Sequence, residues 1–132
     1  MRLAYIDTSC LVAIAFGEAG ASKVASRLER MDRLFASNLL EAELRSALAR
    51  EELSTDPAGL LSSITWVYPN RPLSGEFERV MVEGYVKGAD LWHLACALFL
   101  APEPKDLAFV TLDKRQEEVA RRLGFSSFSL RP

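Results

Sequence analysis

The chain has 132 residues, the size of one compact domain, which argues against an enzyme built from separate cofactor and substrate modules. A hydrophobic share of 49% with 26% charged and 9% aromatic residues excludes disordered, collagen-like and coiled-coil chains. Sixteen Lys and Arg against eighteen Asp and Glu leave a net charge of −2, so no global basic excess draws the chain to nucleic acid or to an anionic membrane. Any such binding is local.

Leu3 to Ile6 is a short apolar run closed by Asp7, which predicts a strand buried on both faces. Leu11 to Phe16 and Ala21 to Met31 read as helices separated by Gly17 and Gly20, with Ser22 placed to cap the second. Leu34 to Ala36 is a second strand. From Asn38 to Leu53, Leu40, Leu44, Ala47 and Leu48 recur at helical spacing, and Ser54, Asp56 and Pro57 end that helix. Ile64 to Tyr68, rich in β-branched and aromatic residues, is a third strand, and Glu76 to Val86 returns to helical spacing. The stretch ADLWHLACALFLA, Ala89 to Ala101, is apolar on every side except at Asp90 and His93, which predicts a central helix. Leu107 to Leu112 follows as a fourth strand and Asp113 to Leu123 as a last helix. Gly124 caps that helix, and Phe125 to Leu130 is a fifth strand.

Strands alternating with helices predict an α/β fold, a three-layer α/β/α sandwich around a central, mostly parallel sheet of about five strands, with residues 1–132 as a single domain. In such folds function gathers at the C-terminal edge of the strands. Cys10 and Cys96 lie in separate apolar stretches outside any metal-ligand spacing and are expected to be buried free thiols, which suits a reducing compartment. The first residues lack a signal-peptide pattern, and no apolar run approaches the roughly 20 residues of a membrane helix. A cytoplasmic location and no membrane partner are the expectation.

Four acids are predicted at that one edge. Asp7 follows the first strand, Asp113 follows the fourth, Asp90 begins the apolar helix, and Glu43 lies in the first turns of the helix after the second strand. Each taken alone has a structural explanation: Asp7, Asp90 and Asp113 stand where a carboxylate caps a helix, and Asp113 with Gln116 matches a capping box. Asp90 shifts the balance, because an acid set in an apolar helix is costly unless it is paired, protonated or bound to metal. Clustered carboxylates suit Mg²⁺ or Mn²⁺, which offsets their repulsion. His93 is the only histidine, so a pair of imidazoles cannot serve as acid and base, and no GxSxG, GxxxxGK[ST] or GxGxxG is present. His93 falls one turn after Asp90, where it either supports the acids or is a satisfied core histidine.

Y-I-D-T-S at the first strand, A-S-N-L-L-E-A-E-L-R-S-A-L-A-R in the middle, G-A-D-L-W-H-L-A on the apolar helix and F-V-T-L-D-K-R near the end together resemble the PIN-domain ribonucleases, most closely the VapC-type toxins of toxin–antitoxin pairs. The resemblance implies that Asp7, Glu43, Asp90 and Asp113 are the catalytic, metal-holding acids, with Glu41 in the same E-A-E-L run as the alternative to Glu43. Ser9 and Thr111 match supporting hydroxyls, and no acid of the pattern is missing. The implied chemistry is Mg²⁺- or Mn²⁺-dependent hydrolysis of an RNA phosphodiester by activated water, leaving 5′-phosphate and 3′-hydroxyl ends. Arg45, Lys87, Lys114 and Arg115 adjoin the acids and are candidates for contacting RNA, with a structured RNA such as tRNA fitting a modest local patch. Trp66, Trp92 and Tyr85 read as core or interface residues. The resemblance further implies a cognate antitoxin partner and a homodimer through the exposed parts of the helices at Ala21 to Met31 and Asn38 to Leu53.

Two other classes compete. A Mg²⁺-dependent phosphoryl-handling domain of receiver or haloacid-phosphatase type also groups acids at strand ends. The first would need an acidic pair near the first strand, and the second would need an Asp where Ser9 stands. A non-catalytic binding module would use the acids only as helix caps.

Overall fold

A computed structural model describes residues 1–127. β1 (Leu3–Ile6) is followed by α1 (Thr8–Phe16) and α2 (Ala21–Glu29), then β2 (Arg33–Ser37), α3 (Leu39–Arg50), α4 (Pro57–Leu61) and β3 (Ile64–Val67). α5 (Ser74–Glu83), α6 (Gly88–Leu100), a 3₁₀ turn (Pro104–Asp106), β4 (Leu107–Val110) and α7 (Lys114–Leu123) complete the order. All pairings are parallel, in the order β3-β2-β1-β4, with Ala4 beside both Leu34 and Ala108.

Period-two alternation divides the core between the two faces of the sheet. Ala4, Ile6, Leu34, Ala36, Ala108 and Val110 pack with α1 to α4, whereas Tyr5, Val67, Leu107 and Phe109 pack with α5, α6 and α7. The chain winds outward from β1 to β3 with its helices on one face, then crosses back to β4 with its helices on the other. Right-handed crossovers demand this exchange of faces when the direction of winding reverses. A crevice therefore opens between the C-terminal ends of β1 and β4, the place where such sheets bind ligands.

Local chemistry sets the element ends. Gly17 adopts the left-handed conformation (φ 63°) that closes α1, its N–H satisfying Ala13 and Ile14 carbonyls. α1 begins at Thr8 rather than Leu11, bringing its first turn against the crevice. The second helix is preceded by Gly20, not capped by Ser22. α4 escapes the hydrophobic pattern because it has only five residues; Asp56 caps it by accepting from the Ala58 N–H, with Pro57 in its first turn. α5 ends at Glu83 rather than Val86. Gly84 lies so close to α7 that a Cβ there would fall 2.9 Å from Arg115 Nη2, and Val86 turns into the core. β4 ends at Val110, since Thr111 is committed to side-chain hydrogen bonds. Among the described residues the sheet has four strands, against about five expected. Of the expected strand Phe125 to Leu130, Ser126 alone forms a parallel bridge to Ala108, and residues 128–130 lie outside the described ones.

Cys10 and Cys96 are buried free thiols, and burial pushes the Cys96 thiol up to about 12. Among the described residues no helix is long and apolar enough to cross a membrane.

Candidate active site

Asp7 immediately follows β1 at the crevice and is 5% exposed. It occupies the position before α1 but caps no amide of that helix. Instead its Oδ1 accepts from Ser9 Oγ at 2.6 Å and its Oδ2 from Thr111 Oγ1 at 2.7 Å. Those hydroxyls are themselves fixed, because Ser9 Oγ accepts from the Leu112 N–H and Thr111 Oγ1 from the Asp113 N–H. Ser9 and Thr111 thus orient the Asp7 carboxylate. Burial pushes the Asp7 carboxyl up to about 6, against the opposing pull of the two hydroxyls and of His93, while Asp90 adds repulsion.

Glu43 enters from α3. Its Oε1 accepts from Thr8 Oγ1 at 2.6 Å and from His93 Nε2 at 2.9 Å, and the bond to His93 is the main cause holding the carboxyl below its ordinary value. Glu41 instead pairs with Arg45 at 2.7 Å on the outer side of α3. The helix thus turns Glu43 toward the crevice and Glu41 away from it.

Behind Glu43 runs a buried chain of hydrogen bonds. The Ser37 N–H donates to the Tyr5 hydroxyl at 3.1 Å, and Tyr5 lies 2.9 Å from His93 Nδ1. Because the carboxylate of Glu43 only accepts, His93 Nε2 is the donor of that bond, and Nδ1 is tied to the Tyr5 hydroxyl. Burial raises the Tyr5 phenol well above its ordinary value, so that hydroxyl keeps its proton. His93 therefore supports an acid rather than filling the core. Tyr5→Phe keeps the ring stacked on Phe109 but leaves the Ser37 N–H without its acceptor. It is expected to lower the unfolding free energy by about 1–3 kcal/mol, measured by urea melts. An unchanged midpoint would mean that this chain of bonds does not brace the fold.

Asp90 sits in the first turn of α6, half-buried, and no hydrogen bond among the described residues reaches its carboxylate. Desolvation raises its carboxyl first, then repulsion from Asp113; His93 and Lys87 pull it down, and Glu43 raises it further. Asp90 is thus the one acid that feels the other three, since it also raises Asp7. Asp113 is exposed and does cap α7, accepting from the Gln116 N–H at 2.9 Å. Gln116 does not return the bond. Fully buried, its Nε2 donates to the Asp90 carbonyl at 3.3 Å and its Oε1 lies 3.2 Å from Thr111 Oγ1, so it ties α6 to the loop after β4. The sequence signals only its capping spacing, not this bridging role.

The donors are hard oxygens, which fits a divalent ion such as Mg²⁺ or Mn²⁺ better than a thiolate- or imidazole-seeking metal. Among the described residues no three of these groups converge as a ligand set. Of the basic candidates, Arg45 is held by Glu41, and Arg115 donates to the Tyr85 carbonyl at 3.0 Å. Lys87 and Lys114 are exposed at the starts of α6 and α7. Trp66 packs in the core, but Tyr85 is 75% exposed and is no core residue: Val86 takes the buried place in that loop.

No curated protein and no solved structure gives a match to the chain. The PIN domain family model matches residues 4–122, nearly the whole of the described chain. PIN domains are nucleases, generally dependent on a divalent metal, and a parallel sheet with helices on both faces and an acid-lined crevice between β1 and β4 is consistent with that family. The chain belongs to the PIN domain family.

Proposed function

We propose that the chain is a Mg²⁺- or Mn²⁺-dependent endoribonuclease, the toxin of a toxin–antitoxin pair, with Asp7, Glu43, Asp90 and Asp113 as its metal-holding catalytic acids. The observation that carries this reading is the position of Asp90, half-buried, without a hydrogen-bond donor, and repelled by acids from β1, α3 and α7. A half-buried carboxylate among other acids is one whose charge a divalent cation would offset. Asp7, Glu43, Asp90 and Asp113 would hold the divalent ion, which would supply activation of water and charge offset at the departing 3′-oxygen.

The chain's own residues then have distinct tasks. Ser9 and Thr111 aim both oxygens of Asp7, and Thr8 with His93 fixes Oε1 of Glu43. Asp113 spends Oδ1 on its cap and keeps Oδ2 for the site. Lys87 and Lys114, exposed beside Asp90 and Asp113, meet the phosphates flanking the cut. Hydrolysis leaves 5′-phosphate and 3′-hydroxyl ends and does not use the 2′-hydroxyl. RNA as substrate, a cytoplasmic location, a single domain, an antitoxin covering the acids and a homodimer through α2 and α3 are supported by the resemblance of the four motifs to the VapC-type toxins.

Purified protein is expected to cut total cellular RNA or members of a tRNA panel with Mg²⁺ or Mn²⁺ and to cut nothing in EDTA. Folded, partner-free protein that leaves every RNA intact in either metal would overturn the reading.

A further inference from the structure

A cavity of about 360 Å³ opens at the C-terminal end of β2, bordered by Asn38, Leu39 and Ala42 of the α3 entry and by Trp92 of α6. It shares the edge of the sheet that carries the acids, since Asn38 and Leu39 directly follow β2 and Trp92 Nε1 donates to Ser37, the last residue of β2. Three features give it a chemistry. The Trp92 indole is held in place, its Nε1 donating to Ser37 Oγ at 3.1 Å and its ring lying 6.2 Å from that of Phe77. Leu39 and Ala42 extend the apolar wall. Asn38 is exposed and its side chain caps no amide of α3, so an amide donor and acceptor stand free at the rim.

A fixed aromatic wall, apolar sides and one free amide match a nucleobase, whose flat face seeks an aromatic partner and whose edge carries donors and acceptors. Resting on the nuclease reading above, we infer that this cavity takes one unpaired base of the substrate strand, with Trp92 as its wall and Asn38 at its edge. The base that enters must be unpaired, because a base inside a duplex cannot leave its stack without unpairing. Lys87 and Lys114 supply phosphate attraction without base choice, while Asn38 supplies preference among bases.

Trp66 and Trp92 are the only tryptophans, so a Trp66→Phe protein reports Trp92 fluorescence alone. In EDTA, an unpaired oligoribonucleotide is expected to quench that fluorescence saturably, and a fully paired RNA duplex is not. Trp92→Leu and Asn38→Ala are each expected to weaken oligonucleotide binding about 5- to 100-fold, the range found for loss of one stacked base. Asn38→Ala is also expected to alter which base is favoured at the cut. Circular dichroism and melting of both variants separate a lost contact from a lost fold. If metal-dependent cleavage is present but Trp92 fluorescence ignores RNA and Asn38→Ala cuts with unchanged base choice, the subsite is wrong and the nuclease stands. If the protein neither binds nor cuts RNA, both fall. Fluorescence that follows protein concentration instead of RNA would reassign the cavity to a second copy of the chain.

Discussion

Asp90→Asn is expected to reduce metal-dependent RNA cleavage by about 10²–10³-fold or more, equivalent to several kcal/mol of transition-state stabilisation, without unfolding the protein. The wild-type carboxylate is already raised by desolvation and by Asp113, and no hydrogen bond among the described residues depends on its charge. An amide there removes repulsion from the crevice, and the Gln116 bond to the Asp90 backbone carbonyl does not need the side chain. The unloaded variant should therefore melt at the same temperature as wild type or higher, while the rise in midpoint that saturating Mn²⁺ gives the wild type should be lost. Cleavage kinetics on an oligoribonucleotide beside paired melts with and without Mn²⁺ measure both. Glu41→Gln is the control, because Glu41 is engaged with Arg45 away from the crevice and should leave cleavage within a few-fold of wild type. Equal cleavage by wild type and Asp90→Asn would remove the acids from the chemistry.

What was legible in the sequence was what local patterning encodes. An acid closing an apolar strand singled out Asp7 as a candidate, and an acid inside an apolar helix singled out Asp90, because burying a carboxylate carries a cost that something must offset. The parallel layering followed from alternation of periods. Non-local partners were beyond reach. Glu41 and Glu43 share one helix, and they are told apart by Thr8 and His93, which lie 35 and 50 residues away in sequence. Gln116 matches a capping box, but the fold buries it and turns its amide to Thr111 and to Asp90. Tyr85 has the composition of a core residue, and the loop leaving α5 buries Val86 in its place. Ser37 carries no signal at all, yet its amide meets Tyr5 and its hydroxyl meets Trp92, joining the support of Glu43 to the wall of the cavity.

Asp7→Asn should separate stability from activity most sharply. In the folded protein the Asp7 carboxyl is raised from 3.8 to about 6, so between those values the folded state holds a proton that the unfolded chain has released. Stability at this group is therefore greatest on the acid side and falls as pH rises through about 6, the reverse of an ion-paired aspartate. Above that pH, the buried charge costs the unloaded fold up to about 3 kcal/mol, at 1.36 kcal/mol per unit. Asn removes the charge and keeps the shape. Its carbonyl can accept from Ser9, and its NH₂ can donate to Thr111 Oγ1, whose proton then turns to Gln116 Oε1 at 3.2 Å. At pH 7 without metal, Asp7→Asn is expected to unfold at higher denaturant than wild type by up to about that amount, and the gain should shrink toward pH 4. The same variant should lose metal-dependent cleavage and the stabilisation by Mn²⁺. Urea melts from pH 4 to 8 test the prediction: a variant less stable than wild type at every pH would mean that the carboxylate is bonded well enough by Ser9 and Thr111 to stabilise the unloaded fold. The pH trend ties the chemistry to the packing, because a carboxylate that burdens the empty protein is one that a divalent cation would relieve on binding.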